Sequence, residues 1–367
     1  MSQIISCNAS SAAQWDDYLL QHPDSNFYQL YGWKSINEKN FGHRCYFQAL
    51  MDGDRISGVL PVVFMKSRLF GRILSSMPFV NFGGLCADSE PQQQLLLKEA
   101  QRLTEFCGAD YMEIRSTRHY DESMPVSLNK VSMTLDLDAD PDVIWNGFKS
   151  KHRTNIRRVY KDQVAVKHGR DELLDSFYQL LSRSWKNLGT PIYRKTYFQD
   201  ILDTFGDKIL IFIAYQGDEP IAAAFNGYYK DTVEGMWAAA LPEHRSTQVN
   251  YVLYWEMIKH ACEQGYKHYH LGRSTANSGA EAFKRKWNAY DKQLYWQYIL
   301  HNSEDLPQLN AHNPKFDLAL KARRKLPLKA TTLLGPMLAP SIPLLDDPPS
   351  HRCTGPYPGP FARALRR

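Results

Sequence analysis

The sequence of 367 residues predicts an α/β protein that is a tandem duplication of one domain. The first observation is an order of elements that occurs twice: helix, β-hairpin, third strand, long helix and a further strand. The second is a Gly-Asp turn, at 53–54 and at 217–218, which joins the two strands of each hairpin. The third is the tetrapeptide FYQL, at 27–30 and again at 177–180. Together these repeats favour two similar domains.

Each element is predicted from the spacing of its apolar residues. The first half contains helical patterns at 12–21 and 28–39, strands at 45–53, 55–65 and 72–80, a helix at 92–107 and a strand at 111–116. The second half contains a helix at 177–185, a hairpin at 209–229, a strand at 232–240, a helix at 251–263 and a strand at 269–274.

The predicted domain boundaries follow from the duplication. We expect a first domain at 1–138, a second at 139–302, a basic and apolar strap at 303–342, and a disordered tail at 343–367. The tail is rich in Pro, Gly and Arg and has too few apolar residues to bury itself. The strap either packs on the protein or anchors it weakly at a membrane surface, because an apolar stretch there follows the basic run at 321–325.

Composition narrows the class of protein. A net charge of +5 is too small for a general polycation, so any argument for anion binding must be local. The six cysteines are scattered without a CxxC pair, which argues against a zinc site and a disulfide framework. The amino-terminal region has no basic start followed by an apolar run, and no stretch reaches the ~18 apolar residues of a membrane-spanning helix. We therefore expect a cytoplasmic protein.

The densest group of cations lies at 145–161, WNGFKSKHRTNIRRVYK. With helical spacing, Lys149, Arg153, Arg157 and Lys161 form one stripe beside an apolar one. Cations four residues apart repel each other by roughly a few tenths of a kcal/mol per pair, which an anionic ligand would relieve. We therefore expect Lys149, Arg153, Arg157 and Arg158 to bind substrate phosphates. The alternative is an ordinary surface helix whose cations meet carboxylates from elsewhere.

Four segments resemble the FemAB peptidyltransferase-like family, whose domains have the fold of the GCN5-related N-acetyltransferases (GNAT). They are FYQLYGWKSI at 27–36, MPFVNFGGL at 77–85, SKHRTNIRRV at 150–159 and FKRKWN at 283–288 after HLGRS. Within that family the sequence is most similar to FemAB-like proteins of exosortase (PEP-CTERM) and exopolysaccharide systems. The resemblance implies tandem GNAT-like acyltransferase domains with mixed sheets flanked by helices. It also implies a transferase that moves an aminoacyl group from a charged tRNA to an amine of a cell-envelope precursor.

The resemblance assigns candidate site residues. Lys284 stands at the lysine of the family motif FKxxFG, which faces the reacting ester, so we expect it to stabilise the transition state. Arg273 ends the preceding strand, where a side chain can reach the cleft, and Ser274 comes directly after it; both are candidate donors to a substrate phosphate. Tyr193 lies in GTPIYRK, which resembles the loop between helices in the second domain of the family, and we expect it to contact substrate by stacking. The motif departs from the family at Trp287 and at Asn288, where the family has Gly.

The sequence is compatible with two acyl donors. GNAT enzymes hold the pyrophosphate of acetyl-coenzyme A in a glycine-containing loop at a helix start, and the corresponding HRSTQVN at 244–250 has no glycine. Arg245 and Asn250 are the candidate donor-binding residues in this loop. We expect no tightly bound cofactor, and either acetyl-coenzyme A or aminoacyl-tRNA as donor. The alternatives are an acetyl-coenzyme A-dependent sugar N-acetyltransferase and a non-catalytic accessory protein of polysaccharide export.

Two further groups have a structural and a functional interpretation. His268 and His270 share one face of a predicted strand, but no third metal ligand accompanies them. Glu113 is either a general base or a partner in a salt bridge at the edge of the core.

Overall fold

The computed structural model describes residues 2–67, 70–301 and 323–342. The helices are α1 (Ala12–Gln21), α2 (Gly32–Phe41), α3 (Glu90–Phe106), α4 (Pro141–Gly147), α5 (Ser150–Lys161), α6 (Leu174–Leu188), α7 (Lys195–Phe205), α8 (Asn250–Glu263), α9 (Gly279–Arg285) and α10 (Leu328–Leu338). The strands are β1 (Ser2–Ser6), β2 (Arg44–Asp52), β3 (Arg55–Ser67), β4 (Gly71–Ser75), β5 (Cys86–Ala87), β6 (Tyr111–Ser116), β7 (Val126–Ser127), β8 (Lys130–Asp136), β9 (Val164–Gly169), β10 (Ile209–Gln216), β11 (Glu219–Tyr229), β12 (Thr232–Ala240), β13 (His268–Thr275), β14 (Tyr290–Gln293) and β15 (Tyr295–Leu300).

The strands form two mixed sheets, one for each half of the chain. The first sheet has the order β1-β2-β3-β4-β6-β15-β7, with β5 paired to β3. The second has the order β14-β8-β13-β12-β11-β10-β9. In each sheet the third strand of the repeat pairs in parallel with the strand after the long helix, β4 with β6 and β12 with β13. The predicted fold, a tandem pair of α/β domains with mixed sheets flanked by helices, is therefore confirmed.

The two sheets exchange their last strands. β8 follows the first half in sequence but pairs with β13 in the second sheet, with Thr134 opposite His270. β15 follows the second half but pairs with β6 in the first sheet, with Gln297 opposite Ile114. The predicted boundary between residues 138 and 139 stays a prediction, and a cut there would separate β8 from the sheet with which it pairs.

The apolar core has three parts. One lies between α3 and the outer face of the first sheet, and one lies between α5, α8 and the outer face of the second sheet. The largest lies between the two sheets and contains side chains from both halves, for example Trp33 and Phe225. Because this shared core joins the halves, the cleft between them has fixed walls.

Most predicted elements are present, but the repeated tetrapeptide FYQL forms different structures in the two halves. Both Gly-Asp turns join hairpin strands, and Gly53 and Gly217 each adopt φ +61°, which favours glycine. The first FYQL forms a short 3-10 helix at Phe27–Gln29, whereas the second lies inside α6. The predicted third strand at 72–80 ends at Ser75, and the following residues form a loop between the two sheets.

Only part of the C-terminal region is described. Residues 323–342 contain α10, and residues 303–322 of the predicted strap and the predicted tail at 343–367 lie outside the described residues. Within the described ranges, no helix combines the length and the apolar composition that crossing a membrane requires.

Candidate functional site

The site begins where two parallel strands separate. β12 and β13 pair only from Thr232 opposite His268 to Glu234 opposite His270. Beyond that point both strands continue unpaired with each other, to Ala240 and to Thr275. The strands therefore open a cleft in the second sheet.

Two glycines fix the point of separation. A Cβ on Gly235 would lie 2.9 Å from the carbonyl oxygen of His270, and a Cβ on Gly272 would lie 2.9 Å from that of Gly235. Gly272 also has φ +82°, in the left-handed region. The backbones thus approach each other more closely than any side chain permits.

A loop of the first half, residues 76–85, lies against this opening, and we call it the interdomain loop. Met77 and Phe79 adopt φ +68° and +70°, a conformation that is uncommon for bulky residues and costs about 1–3 kcal/mol. Asn81 Nδ2 donates to the carbonyl oxygen of Gly235 at 3.1 Å. Strained bulky residues cluster at functional sites, so this loop is a candidate part of the site.

The cleft contains a cavity of about 350 Å³ between the two halves. Three basic side chains line it, Lys130, Arg273 and Lys284, and no carboxylate belongs to the lining among the described residues. Other lining residues are Tyr28, Val80, Asn81, Trp185, Tyr193, Asn226, Trp237, Tyr254, Ser274, Ala339 and Ile342. A cavity with this composition favours an anionic ligand.

Lys284 is held at the point where the strands separate. It lies in the last turn of α9, which Ser278 caps by accepting from the backbone N–H of Glu281. The side chain is buried, and its Nζ donates to the carbonyl oxygens of Gly272 at 2.9 Å and Arg273 at 3.0 Å. The ammonium is therefore positioned at the cavity by backbone groups of β13.

Arg273, Ser274 and Lys130 stand on the adjoining strands. Arg273 donates from Nη1 to the carbonyl oxygen of Val80 at 3.3 Å, which ties β13 to the interdomain loop. Ser274 is buried, and its Oγ has no hydrogen-bond partner among the described residues. Lys130 on β8 is also buried and donates to Thr275 Oγ1 at 2.8 Å. Sequence reasoning missed Lys130, because only the strand exchange brings β8 to this site.

Tyr193 belongs to an aromatic wall of the cavity. Its ring lies 5.2 Å from that of Trp185 and 4.9 Å from that of Tyr197, measured between ring centres. Burial raises the pKa of Tyr193, against the lowering effect of the Arg273 charge. A neutral, amphipathic ring here is suited to stacking on a ligand.

A second group that the sequence analysis missed lies beside the cavity. The Glu234 carboxylate accepts from His270 Nδ1 at 2.8 Å, and its second oxygen is buried with no hydrogen-bond partner among the described residues. Tyr28 lines the cavity next to this pair, and its hydroxyl accepts from Asn81 Nδ2 at 2.8 Å. Burial and the charge of Glu234 raise the pKa of Tyr28. A lone carboxylate within a strand such as β12 gives no local signal in the sequence.

The cations of α5 do not line this cavity. Arg153 donates from Nη1 to the carbonyl oxygens of Asn146 and Phe148, each at 2.9 Å, and so caps the end of α4. Arg157 lies over the ring of Trp145 at 5.3 Å. Lys149, directly before α5, and Arg158 within it are exposed. Their predicted role in binding substrate phosphate stays a prediction, and it concerns a surface outside the cavity.

The departures from the FemAB motif have structural reasons. Trp287 is fully buried, with its ring centre 5.5 Å from Phe148 and 4.3 Å from His152, so it anchors α5 to the second sheet. Asn288 adopts φ +59° and donates to the carbonyl oxygen of Gly147 at 2.9 Å. Asn is among the few residues that tolerate this conformation, which explains why it can stand in place of Gly.

The candidate donor loop lies before α8. Residues Pro242–Thr247 form a 3-10 helix, Gln248 has φ +56°, and α8 begins at Asn250. The structure describes the backbone of Arg245 and not its side chain. Tyr254 and Met257 of α8 line the cavity, so this helix connects the loop with the site.

The remaining candidates have structural roles. His268 Nδ1 lies 2.9 Å from Asp136 Oδ1, so His268 and His270 each pair with a carboxylate. The described residues contain no group of His, Cys, Asp and Glu able to hold a metal ion. Glu113 is buried in an ion pair with Arg115. Of the two interpretations of Glu113, the structure therefore supports the salt bridge and not the general base.

One part of the chain matches a known acyltransferase domain. Residues 148–285 match the family model described as acetyltransferase (GNAT) domain. No curated protein matches the sequence.

Solved structures support the tandem arrangement. The chain is similar to the crystal structure of FemX, with 15% identity, 82% of this chain and 98% of that chain covered, and a TM-score of 0.63. It is similar to the C-terminal domain of a putative lysylphosphatidylglycerol synthetase from Agrobacterium fabrum, with 12% identity, 89% and 98% covered, and a TM-score of 0.55. It is also similar to a tandem GNAT protein from the clavulanic acid biosynthesis pathway, with 12% identity, 83% and 100% covered, and a TM-score of 0.51. At these identities the likeness establishes the fold.

Proposed function

We propose that this protein transfers an acyl or aminoacyl group to an amine of a phosphate-bearing precursor of the cell envelope or of an exopolysaccharide. The observation that carries the proposal is the cavity lined by Lys130, Arg273 and Lys284 at the separation of β12 and β13. Buried cations stabilise both a substrate phosphate and the negative charge that develops during acyl transfer.

The proposed reaction begins with attack of a neutral amine on an ester or thioester carbonyl. The carbonyl oxygen becomes negatively charged, and Lys284 stabilises it because backbone carbonyls already hold its ammonium at the cavity. The C–N bond forms and the C–O or C–S bond breaks, and the rest of the donor leaves as an alcohol or a thiol after taking up the one proton that the amine gives up.

The amine must lose one proton in this step. Tyr28 lies between the cavity and Glu234, so its hydroxyl accepts the proton of the amine while it passes its own to the buried carboxylate oxygen. The hydrogen bond from His270 holds the other carboxylate oxygen in place. Ser274, whose hydroxyl is buried without a partner among the described residues, donates to a substrate oxygen.

Two donors are compatible with this chemistry. The fold shared with FemX and with lysylphosphatidylglycerol synthetase favours an aminoacyl-tRNA, and the cations of α5 would then bind its phosphates. The match to the acetyltransferase family favours acetyl-coenzyme A, for which Asn250 and Arg245 are the candidate ligands at the start of α8. The lack of glycine at 244–250 makes aminoacyl-tRNA the donor that we prefer.

The test is a transfer assay with both donors in parallel. Mixed tRNA charged with labelled amino acids, and labelled acetyl-coenzyme A, are each incubated with the protein and with nucleotide-linked amino sugars as acceptors. We expect the label of one donor to appear in an amide of the acceptor. Acetyl transfer alone supports the sugar N-acetyltransferase alternative, and absence of transfer from both donors supports a non-catalytic accessory protein and contradicts the proposal.

A further inference from the structure

Helix α10 has an inverted distribution of side chains. Its small residues Thr331 and Gly335, and Ala339 directly after it, are buried against the protein. A Cβ on Gly335 would lie 2.9 Å from the backbone nitrogen and oxygen of Ile192, so the helix packs closely on the loop after α6. The large apolar side chains point the other way. Leu333 is 73% exposed and Met337 is 68% exposed.

These residues form one continuous surface, which we call the α10 face: Leu333, Leu334, Met337 and Leu338, all exposed. Positions separated by four residues lie above one another on a helix. An exposed apolar surface of this kind marks an interaction site, since a solvated helix would carry polar residues there.

Cations flank the α10 face. Residues 323–342 contain three exposed cations, Arg324, Lys325 and Lys329, and no acidic residue, whereas Arg323 is buried and donates to the carbonyl oxygen of Thr331. Lys329 is exposed and lies four residues before Leu333, on the same stripe. Lys325 and Arg324 are exposed at the amino-terminal end. An apolar face bordered by lysines and arginines is the composition of a helix that lies in the headgroup region of an anionic bilayer.

The buried side of α10 lies next to the cavity. Ala339 and Ile342, which follow the helix, line the cavity together with Leu188 at the end of α6 and with Thr190 and Pro191 of the loop on which the helix packs. The α10 face and the cavity therefore lie on opposite sides of the same helix.

We infer that the α10 face docks this protein on an anionic lipid bilayer, so that one helix separates the cavity from the headgroups. The apolar side chains enter the boundary of the acyl chains while Lys325 and Lys329 contact lipid phosphates. A second copy of this chain is the weaker candidate, because it would bring a second set of cations to the same surface. The inference goes beyond the proposed function, since a docked protein would act on lipid-linked acceptors.

The test is co-sedimentation of the full chain with sucrose-loaded vesicles of phosphatidylglycerol and phosphatidylcholine, and with vesicles of phosphatidylcholine alone. We expect the protein to bind the anionic vesicles, with weaker binding when salt is raised. Replacing Leu333 and Met337 together by Ser should lower the partition coefficient about tenfold or more. Lys325→Gln with Lys329→Gln should weaken binding to the anionic vesicles.

The matched control replaces Leu20 and Phe106, which are 60% and 66% exposed on other parts of the surface, by Ser. Vesicle binding of this control should equal that of the unaltered protein. The inference is overturned if no anionic vesicle binds, or if the control loses as much binding as the α10 variant. It is also overturned if sedimentation velocity shows a dimer that the α10 variant dissociates, or if that variant unfolds several degrees earlier, because the face is then already covered by protein. None of these outcomes depends on catalytic activity.

Discussion

Glu234 Oε1 accepts a hydrogen bond from His270 Nδ1 at 2.8 Å, on the last residue pair that joins β12 to β13. The carboxylate therefore lies where the two strands begin to separate, beside Tyr28 and the cavity. Its second oxygen is buried without a hydrogen-bond partner among the described residues. Such a group lowers the stability of the folded protein, and a functional role explains why it is retained.

Glu234→Gln tests the proton path. The amide keeps the shape but cannot accept the proton, so we expect kcat to fall by about 10²- to 10⁴-fold. The loss should shrink as pH rises, because base in the solvent then takes up more of the proton that the attacking amine releases. Measured pH–rate profiles of the two proteins decide this, with Glu263→Gln on the exposed end of α8 as control. A loss that is equal at every pH would show that Glu234 only supports the structure.

Gly235→Ala tests the close approach of the two strands. The added Cβ would lie 2.9 Å from the carbonyl oxygen of His270, so β12 and β13 must shift apart. We expect a lower melting temperature and a lower rate. Gly279→Ala is the control, because a Cβ there meets nothing within 4 Å. Thermal unfolding of both variants measures the difference, and equal melting temperatures would contradict the close packing at Gly235.

The buried side chain of His152 makes the free energy of unfolding of this protein depend on pH. Burial, together with the charge of Lys286, lowers the pKa of His152 from 6.5 to about 4. Between these values the unfolded chain binds a proton that the folded chain does not, so stability is complete above pH 6.5 and falls as pH falls toward 4. His152→Phe keeps the aromatic contacts with Trp287 and should flatten this slope. Urea unfolding across the window measures it, and identical slopes in both proteins would contradict the buried, neutral histidine.

Two cations of α5, Arg157 and Arg153, are expected to have different roles. Arg157 is exposed, so Arg157→Gln should weaken binding of the phosphate-bearing substrate about tenfold and leave folding unchanged. Arg153 caps α4, so Arg153→Gln should also lower the melting temperature. Calorimetric binding combined with thermal unfolding distinguishes them, with Arg55→Gln on the first half as control. Unchanged binding in both variants would leave α5 as an ordinary surface helix.

Local patterns predicted much of this fold. The strand-like runs at 45–53 and 55–65 and the helical spacing at 251–263 correspond to β2, β3 and α8, because apolar residues recur in each, and β3 is buried on both faces. The exchange of β8 and β15 between the sheets could not be predicted, since it depends on pairing between residues far apart in sequence. Lys130 was missed for that reason.

The candidate site was predicted in part. Lys284, Arg273, Ser274 and Tyr193 were identified through the resemblance, and all four line one cavity. The stripe of cations on α5 was the strongest local signal, but a stripe does not state which face of a helix meets the cleft. Glu234 gave no signal, because a lone carboxylate in a strand has no local pattern.

The most direct test of the central claim is single-turnover transfer by Lys284→Ala, compared with the unaltered protein and with Lys286→Ala. Lys286 is exposed two residues away and serves as the matched control. If Lys284 stabilises the transition state, Lys284→Ala lowers the rate of amide formation by about 10²-fold with little change in KM, and Lys286→Ala does not. Lys284→Arg keeps the charge on a planar group and should restore part of the rate. A higher KM at constant kcat would make Lys284 a binding residue, and an unchanged rate would contradict the account of this cleft as the site of acyl transfer.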